Sequence, residues 1–156
     1  MDDETQLCSF YLGGMCYGLP IEHVVEVSRC PSIVPVPSSP PAISGLMNIR
    51  SQIVTALNLT SRLGLSPPDS SGSERLSSML ILVRDAEGEL IGLVVDTIED
   101  VIEVAQNMFE PSPRTLSPEM RAMVPGAYKG GKRLVMLLDL EPILNLRSRP
   151  LSVAAL

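Results

Sequence analysis

Residues 45–59 constrain the fold more than any other part of this sequence. Apolar and polar residues alternate along two arms that flank a short polar turn, Arg50-Ser51-Gln52. Since successive side chains of a strand point to opposite faces, this period of two predicts a β-hairpin with one buried face and one mixed face. Arg50 is expected at the tip of the hairpin, on its more polar face.

The polar turn also has a predicted shape. A tight two-residue hairpin of the primed types needs positive φ, which Gly adopts cheaply and residues with a Cβ do not. Both Ser51 and Gln52 carry a Cβ. We therefore expect this turn to widen into a type I form with a bulge, which most residues tolerate.

The rest of the chain is predicted to form many short strands, because fourteen prolines and eleven glycines argue against long helices. Strand-like runs occupy residues 7–12, 15–19, 24–27, 79–83, 90–95, 98–104 and 134–140. Five prolines within residues 31–41 predict an extended surface crossing, and residues 66–78, rich in Ser, Pro and Gly, predict a mobile loop. Ser117 followed by Pro118 predicts a short capped helix. Many short strands with frequent turns favour barrels over one open sheet.

Composition bounds the class of protein. A chain of 156 residues forms one domain, or two very small ones that share a core. Hydrophobic residues make up 45% but aromatic residues only 3%, so the core must be aliphatic. The net charge of −6 argues against a nucleic-acid partner. No apolar run approaches the roughly 18 residues of a membrane span, and the acidic start is unlike a secretory signal. We expect a cytoplasmic protein that does not insert into membranes.

The cysteines are predicted to be reduced and unpaired. They are Cys8, Cys16 and Cys30. With a two-residue turn at residues 13–14, Cys16 lies opposite Tyr11 and Cys8 opposite Leu19. The two sulfurs are then roughly 10 Å apart, too far for a disulfide.

Residues suited to catalysis or metal binding are scarce. The single histidine, His23, is predicted to lie in a solvated surface turn. Asp96 is expected to fix a turn by accepting backbone N–H bonds, and the basic residues 129–133 read as a hairpin turn. An acidic cluster at residues 99–103 could bind a cation, although such edges usually stay solvated. No cofactor, metal or enzymatic activity is predicted.

The hairpin motif resembles that of the CheW family of bacterial chemotaxis coupling proteins. Gly45, Asn48, Arg50 and Leu59 match its Gly-x-x-Asn-x-Arg-Gly-x-x-x-Pro-x-x-x-Leu pattern, whereas Ser51, Thr55 and Asn58 depart from the residues usual there. Three further segments follow the family order, at residues 10–18, 92–96 and 134–144. The resemblance runs over residues 7–146, leaving residues 147–156 as a C-terminal tail.

The resemblance implies a mainly β fold of two small five-stranded SH3-like barrels packed together, with short helical turns. The two subdomains are expected at roughly residues 7–66 and 78–146, with an exchange of strands between them left open. It also implies a non-enzymatic adaptor of signal transduction, a monomer in isolation. Such an adaptor bridges the cytoplasmic tips of methyl-accepting chemoreceptors and the regulatory domain of a CheA-type histidine kinase in a two-component system.

Matching by position carries the family's binding surfaces onto this sequence. The receptor-binding candidates are Val24, Glu26, Arg50, Met79, Leu80 and Val101. The kinase-binding candidates are Ile33, Val34 and Gln52. Glu26 and Arg50 are the pair of greatest interest, and the competing interpretation is that Arg50 only bonds carbonyls of its own hairpin.

A second hypothesis needs no kinase. In it the chain is a free-standing β-barrel module that binds a small ligand or a peptide in the cleft between the barrels. A nucleic-acid-binding barrel is a weaker third hypothesis, because the chain is acidic and lacks stacking aromatics.

Overall fold

The structure is a computed structural model that describes residues 4–65, 78–130 and 133–146. Its strands are β1 (Glu4–Leu12), β2 (Met15–Pro20), β3 (Glu26–Arg29), β4 (Ile43–Ile49), β5 (Gln52–Asn58), β6 (Met79–Arg84), β7 (Leu90–Val95), β8 (Thr97–Ala105), β9 (Phe109–Pro111), β10 (Gly126–Gly130) and β11 (Arg133–Leu137). Its helices are α1 (Leu59–Arg62), α2 (Pro118–Met123) and α3 (Leu140–Leu144), with single 3-10 turns at Ile21–His23 and Gln106–Met108. The mainly β fold predicted from the sequence is confirmed.

The strands form two sheets. Sheet A has the order β8-β1-β2-β11-β10-β9, and sheet B has the order β3-β6-β7-β5-β4. Neighbouring strands are antiparallel except β2 with β11 and β5 with β7, which are parallel. Each sheet takes strands from both sides of residues 66–77. The domain bounds themselves stay a prediction.

In each sheet, one continuous segment of the chain connects the two edge strands. In sheet B the chain leaves edge strand β3 and bonds the opposite edge at β4, where Val34 and Leu46 exchange two N–H···O bonds of 2.9 Å. In sheet A the edge strands β8 and β9 are joined by the single turn Gln106–Met108. Such closure covers edges that would otherwise present unpaired backbone groups. It is compatible with two small barrels.

Three apolar clusters hold the sheets. The inter-sheet core includes Cys8, Phe10, Leu19, Leu57, Ile81, Leu93 and Leu138. The sheet A cluster is Leu7, Cys16, Val104, Tyr128 and Val135, and the sheet B cluster is Met47, Val54, Ala56, Leu80 and Leu82. Along β6, Ile81 and Val83 face the inter-sheet core while Leu80 and Leu82 face the sheet B cluster. Burial on both faces explains why β6 and β7 are continuous aliphatic runs without alternation.

Several local predictions are confirmed. Residues 13–14 form the predicted turn, with Cys16 opposite Tyr11 and Cys8 opposite Leu19. All three cysteines are free. The Ser117 side chain accepts the backbone N–H of Met120 and caps α2.

Other predictions differ from the structure. The last strand ends at Leu137, because the next residues turn into α3 and place Pro142 in a first helical turn that tolerates it. Strands β9 and β10 were not predicted. The predicted mobile loop at residues 66–78 and the tail at residues 147–156 lie almost entirely outside the described residues.

Candidate partner-binding surface

The tip of the β4–β5 hairpin is a tight turn. The ladder continues to the pair Ile49 and Gln52, so only Arg50 and Ser51 form the turn. Their φ angles are 49° and 71°, as a primed two-residue turn requires. The prediction of a widened type I turn with a bulge is therefore wrong.

A side chain from β4 stabilises this turn. The backbone N–H of Ser51 donates to Oδ1 of Asn48 at 2.9 Å. A primed turn also matches the right-handed twist of the two strands, which the wider turn would not. These gains offset the cost of placing two residues with a Cβ at positive φ. Asn48 is thus a structural residue of the hairpin, and the tendency of Asn to bond nearby backbone groups was the available signal.

Arg50 links the hairpin tip to the other edge of sheet B. Its Nη2 donates to Oε1 of Glu26 on β3 at 2.5 Å, although β3 and β4 are the two edge strands of the sheet. The side chain of Arg50 is 71% exposed and that of Glu26 is 29% exposed. The structure thus brings together the two residues singled out in the sequence. Among the described residues, the bond of this guanidinium is to Glu26 and not to a carbonyl of its own hairpin.

Gly45 allows the crossing segment to approach β4. Its φ is 149°, and a Cβ at this position would lie 2.2 Å from the carbonyl oxygen of Val34 and 2.8 Å from Cγ2 of Ile33. No side chain fits there. This close approach explains why the motif begins with Gly.

Three of the receptor-binding candidates border the inter-sheet core. Val24 and Met79 are partly buried against it. Val101 lies opposite Cys8, a member of that core, and is 49% exposed. Leu80 is a correction to the receptor-binding candidates. It is fully buried in the sheet B cluster, so its side chain cannot contact a partner in this conformation.

The kinase-binding candidates lie near the hairpin and the crossing segment. Val34 is 65% exposed and Gln52 is exposed, whereas Ile33 packs against the sheet B cluster. The sequence did not single out Ile53, which is 72% exposed. Val34 bridges Leu46 and Ile53 pairs with Asn48, so by alternation Val34 and Ile53 project from the same face of sheet B.

The buried face of β5 explains why Ile53 was missed. Near the tip, Val54 and Ala56 point into the sheet B cluster, which leaves Ile53 and Thr55 on the other face. Alternation alone does not say which of two mixed faces is buried. A large exposed apolar residue beside a polar turn was the only signal.

The ionisable groups that the structure describes show no arrangement suited to catalysis. Burial raises the pKa of Cys8, Cys16 and Cys30 above the ordinary value, so the thiols stay protonated near neutral pH and are poor nucleophiles. Asp96 accepts the backbone N–H of Gly13 at 2.8 Å and fixes a turn, as predicted. In the described part of the chain, no three His, Cys, Asp or Glu residues are placed to hold a metal ion. Nor does any described helix have the length and apolarity to span a membrane.

The comparisons with known proteins identify the family. The family model of the CheW-like domain matches residues 6–148, nearly the whole chain. The chain belongs to the CheW-like domain family. Among curated relatives, "Chemotaxis protein CheW" of Treponema pallidum is 29% identical over 145 residues, covering 92% of this chain and 84% of that protein. "Chemotaxis protein CheW" of Bacillus subtilis is 25% identical over 139 residues, covering 89% and 86%.

A solved structure supports the same assignment. The scaffolding protein TtCheW from Thermoanaerobacter tengcongensis superposes with a TM-score of 0.78 at 29% identity, covering 91% of this chain and 93% of that chain. The two-sheet architecture described above is therefore that of a CheW-like domain. As a member of this family the chain is a chemotaxis scaffold protein and not an enzyme.

Proposed function

We propose that this CheW-like protein is a cytoplasmic adaptor that holds the cytoplasmic tip of a chemoreceptor and the regulatory domain of a CheA-type histidine kinase in a fixed relative orientation. The observation that carries the proposal is the Arg50–Glu26 pair, an exposed ion pair at two positions that match the family's receptor surface. The pair joins the two edges of sheet B and gives that surface a defined charge pattern.

The receptor surface is assigned to Val24, Glu26, Arg50, Met79 and Val101. Val24 and Val101 supply apolar contact, while the ion pair lies at the rim. In interfaces of this kind the apolar centre supplies most of the affinity and the rim charges set the orientation. Leu80 is left out of this surface because it is fully buried in the sheet B cluster.

The kinase surface is assigned to Val34 and Ile53 on one face of sheet B and to Gln52 at the hairpin tip, with Ile33 anchoring the crossing segment. Val34 and Ile53 are the most exposed of the large apolar side chains in the described residues. They project from the same face of sheet B, with β4 between them, and exposed apolar side chains on one face of a sheet are typical of a protein contact. Both surfaces belong to one body held by a shared core, so binding to each would set the relative position of the two partners.

Charge variants test the receptor surface. Glu26→Lys places two like charges together and should weaken binding of a receptor tip fragment, whereas the swap of Glu26→Arg with Arg50→Glu restores the pair but reverses its polarity. An exposed pair contributes about 0–1 kcal/mol to stability, so both variants should fold. Calorimetry should give weaker receptor binding for both variants and unchanged kinase binding. Receptor affinity equal to that of the parent in both would remove the pair from the surface.

An apolar-to-charged variant tests the kinase surface. Val34→Glu should weaken binding of the kinase regulatory domain and leave receptor binding unchanged. Met108→Glu is the matched control, because Met108 is an exposed apolar residue outside both surfaces. Equal effects of the two variants on kinase binding would contradict the assignment.

The hypothesis of a module that binds a ligand between the barrels gains no support from the described residues. The space between the two sheets is filled by the inter-sheet core. A groove of about 540 Å³ is lined by His23, Arg84 and Leu140 among others.

A further inference from the structure

Strand β8 contains a bulge that determines where Val101 points. The pairs on either side of it are Cys8 with Val101 and Phe10 with Ile98. Two residues of β8, at positions 99–100, therefore lie opposite the single residue Ser9 of β1. An extra residue of this kind changes the direction of the side chains that follow it.

The bulge places the two ends of β8 on different faces. Ile98 packs against the inter-sheet core, whereas Ile102 packs against the sheet A cluster. In an unbroken strand these two residues would share a face, because side chains repeat every second residue. The unbroken register would also set Val101 opposite Leu7, pointing toward the sheet A cluster. With the bulge, Val101 lies on the same side as Cys8 and is accessible.

Ser9 bonds the backbone at the bulge. Ser9 is fully buried, and its hydroxyl Oγ donates to the carbonyl oxygen of Asp100 at 2.7 Å. A bulge interrupts the ladder, so a backbone group there needs another partner. The buried hydroxyl supplies it from the facing strand.

We propose that Ser9 is a positioning residue that keeps Val101 presented on the receptor surface. The inference rests on the proposed function, in which Val101 contacts the receptor. Ser9 itself cannot touch a partner, since it is fully buried. It acts through the register of β8.

The first measurement follows the register itself and needs no partner. Cross-strand nuclear Overhauser contacts in the parent protein should connect Val101 with Cys8. In the Ser9→Ala variant these contacts should weaken, and contacts of Val101 with Leu7 should appear as the bulge is lost. A Ser9→Ala protein that keeps the parent contacts would overturn the positioning role.

The second measurement is a double-mutant cycle on receptor binding. Val101→Ala and Ser9→Ala should each weaken binding of a receptor tip fragment, by roughly fivefold. The double variant should bind the receptor fragment less than about twofold more weakly than Val101→Ala alone does, because Ser9 acts only through Val101. Additive losses would overturn the inference.

The matched control is Ser112→Ala. Ser112 also donates its hydroxyl to a backbone carbonyl, that of Val124, but it follows β9, the edge strand at the other end of sheet A from β8, and is outside the receptor surface. The Ser112→Ala variant should be less stable than the parent protein and should bind the receptor fragment with unchanged affinity. If Val101→Ala leaves receptor affinity unchanged while Ser9→Ala still moves Val101 opposite Leu7, the proposed receptor contact fails and the positioning of Val101 by Ser9 stands.

Discussion

At Ser51 the preference of one residue is outweighed by the interactions around it. A non-glycine residue at positive φ costs on the order of 1–2 kcal/mol. The acceptor on Asn48 and the twist of the two strands favour the tight turn nonetheless. The sequence contained both the residue that bears this cost, Ser51, and the residue that supplies the acceptor, Asn48. Only the structure shows that the acceptor lies within bonding distance.

Replacing Ser51 with Gly should therefore stabilise the protein. The turn and the bond to Asn48 are kept, because the donor is the backbone N–H, while the strain at φ 71° is removed. We expect the free energy of unfolding to rise by about 0.5–1 kcal/mol, since part of the gain is offset by the greater chain entropy of Gly. Urea unfolding measures it. Ser51→Ala should be close to neutral, and a destabilised Gly variant would contradict the strained turn.

The buried thiols predict a pH dependence of stability. Burial raises the folded-state pKa of Cys8, Cys16 and Cys30 above the unfolded value of about 9.0. Below pH 9 the thiols are protonated in both states, so their contribution is fully present. As the pH rises further, the unfolded chain releases protons first, and stability is lost up to the folded pKa.

Urea unfolding between pH 7.5 and pH 9.5 tests this prediction. The free energy of unfolding should be level at the lower end and fall toward the upper end, by less than about 1.4 kcal/mol per pH unit for each thiol. Cys8→Ala should reduce the dependence on pH although it lowers stability overall. A stability that rises with pH over this range would be incompatible with buried, protonated thiols.

Among the elements, the strands were predicted more reliably than their partners. The alternation and the aliphatic runs located nine of the eleven strands at least approximately, because the pattern of each run reflects the burial of its own side chains. Sheet membership depends instead on contacts between distant segments, such as β5 with β7. The bulge in β8 likewise depends on a contact with a distant segment. In the sequence, residues 98–104 look like one regular strand. The pairing with β1 around Ser9 shows that the strand changes face part-way along.

The closure of sheet B gives a prediction for Gly45. A Cβ in Gly45→Ala would lie 2.2 Å from the carbonyl oxygen of Val34, so the crossing segment would have to move away from β4. We expect a loss of more than about 2 kcal/mol in the free energy of unfolding, as for other severe backbone clashes.

Gly88→Ala is the control for backbone strain alone. Gly88 also has a positive φ, of 85°, but an added Cβ meets nothing within 4 Å. Its loss should be about 1 kcal/mol. Equal losses in the two variants would mean that the contact with Val34 does not hold the crossing segment.

At the scale of the molecule, the proposed function depends on two surfaces carried by one body. Arg50 of the motif and the candidate Glu26 were both singled out in the sequence, and the structure brings them into contact. The exposure of Ile53 could not be predicted, because alternation does not specify which face meets the core, whereas the continuous aliphatic run of β6 already indicated that Leu80 is buried. The inter-sheet core joins sheet A to sheet B, so the two surfaces should keep one relative orientation.

The most direct test of the adaptor role is the formation of a ternary complex. A chemoreceptor tip fragment and the kinase regulatory domain should co-elute only when this protein is present, in a complex that contains all three chains. Val34→Glu should release the kinase domain and keep the receptor, and Glu26→Lys should do the reverse. If the receptor fragment and the kinase domain compete for the protein, so that only binary complexes form, the account of two separate surfaces is contradicted.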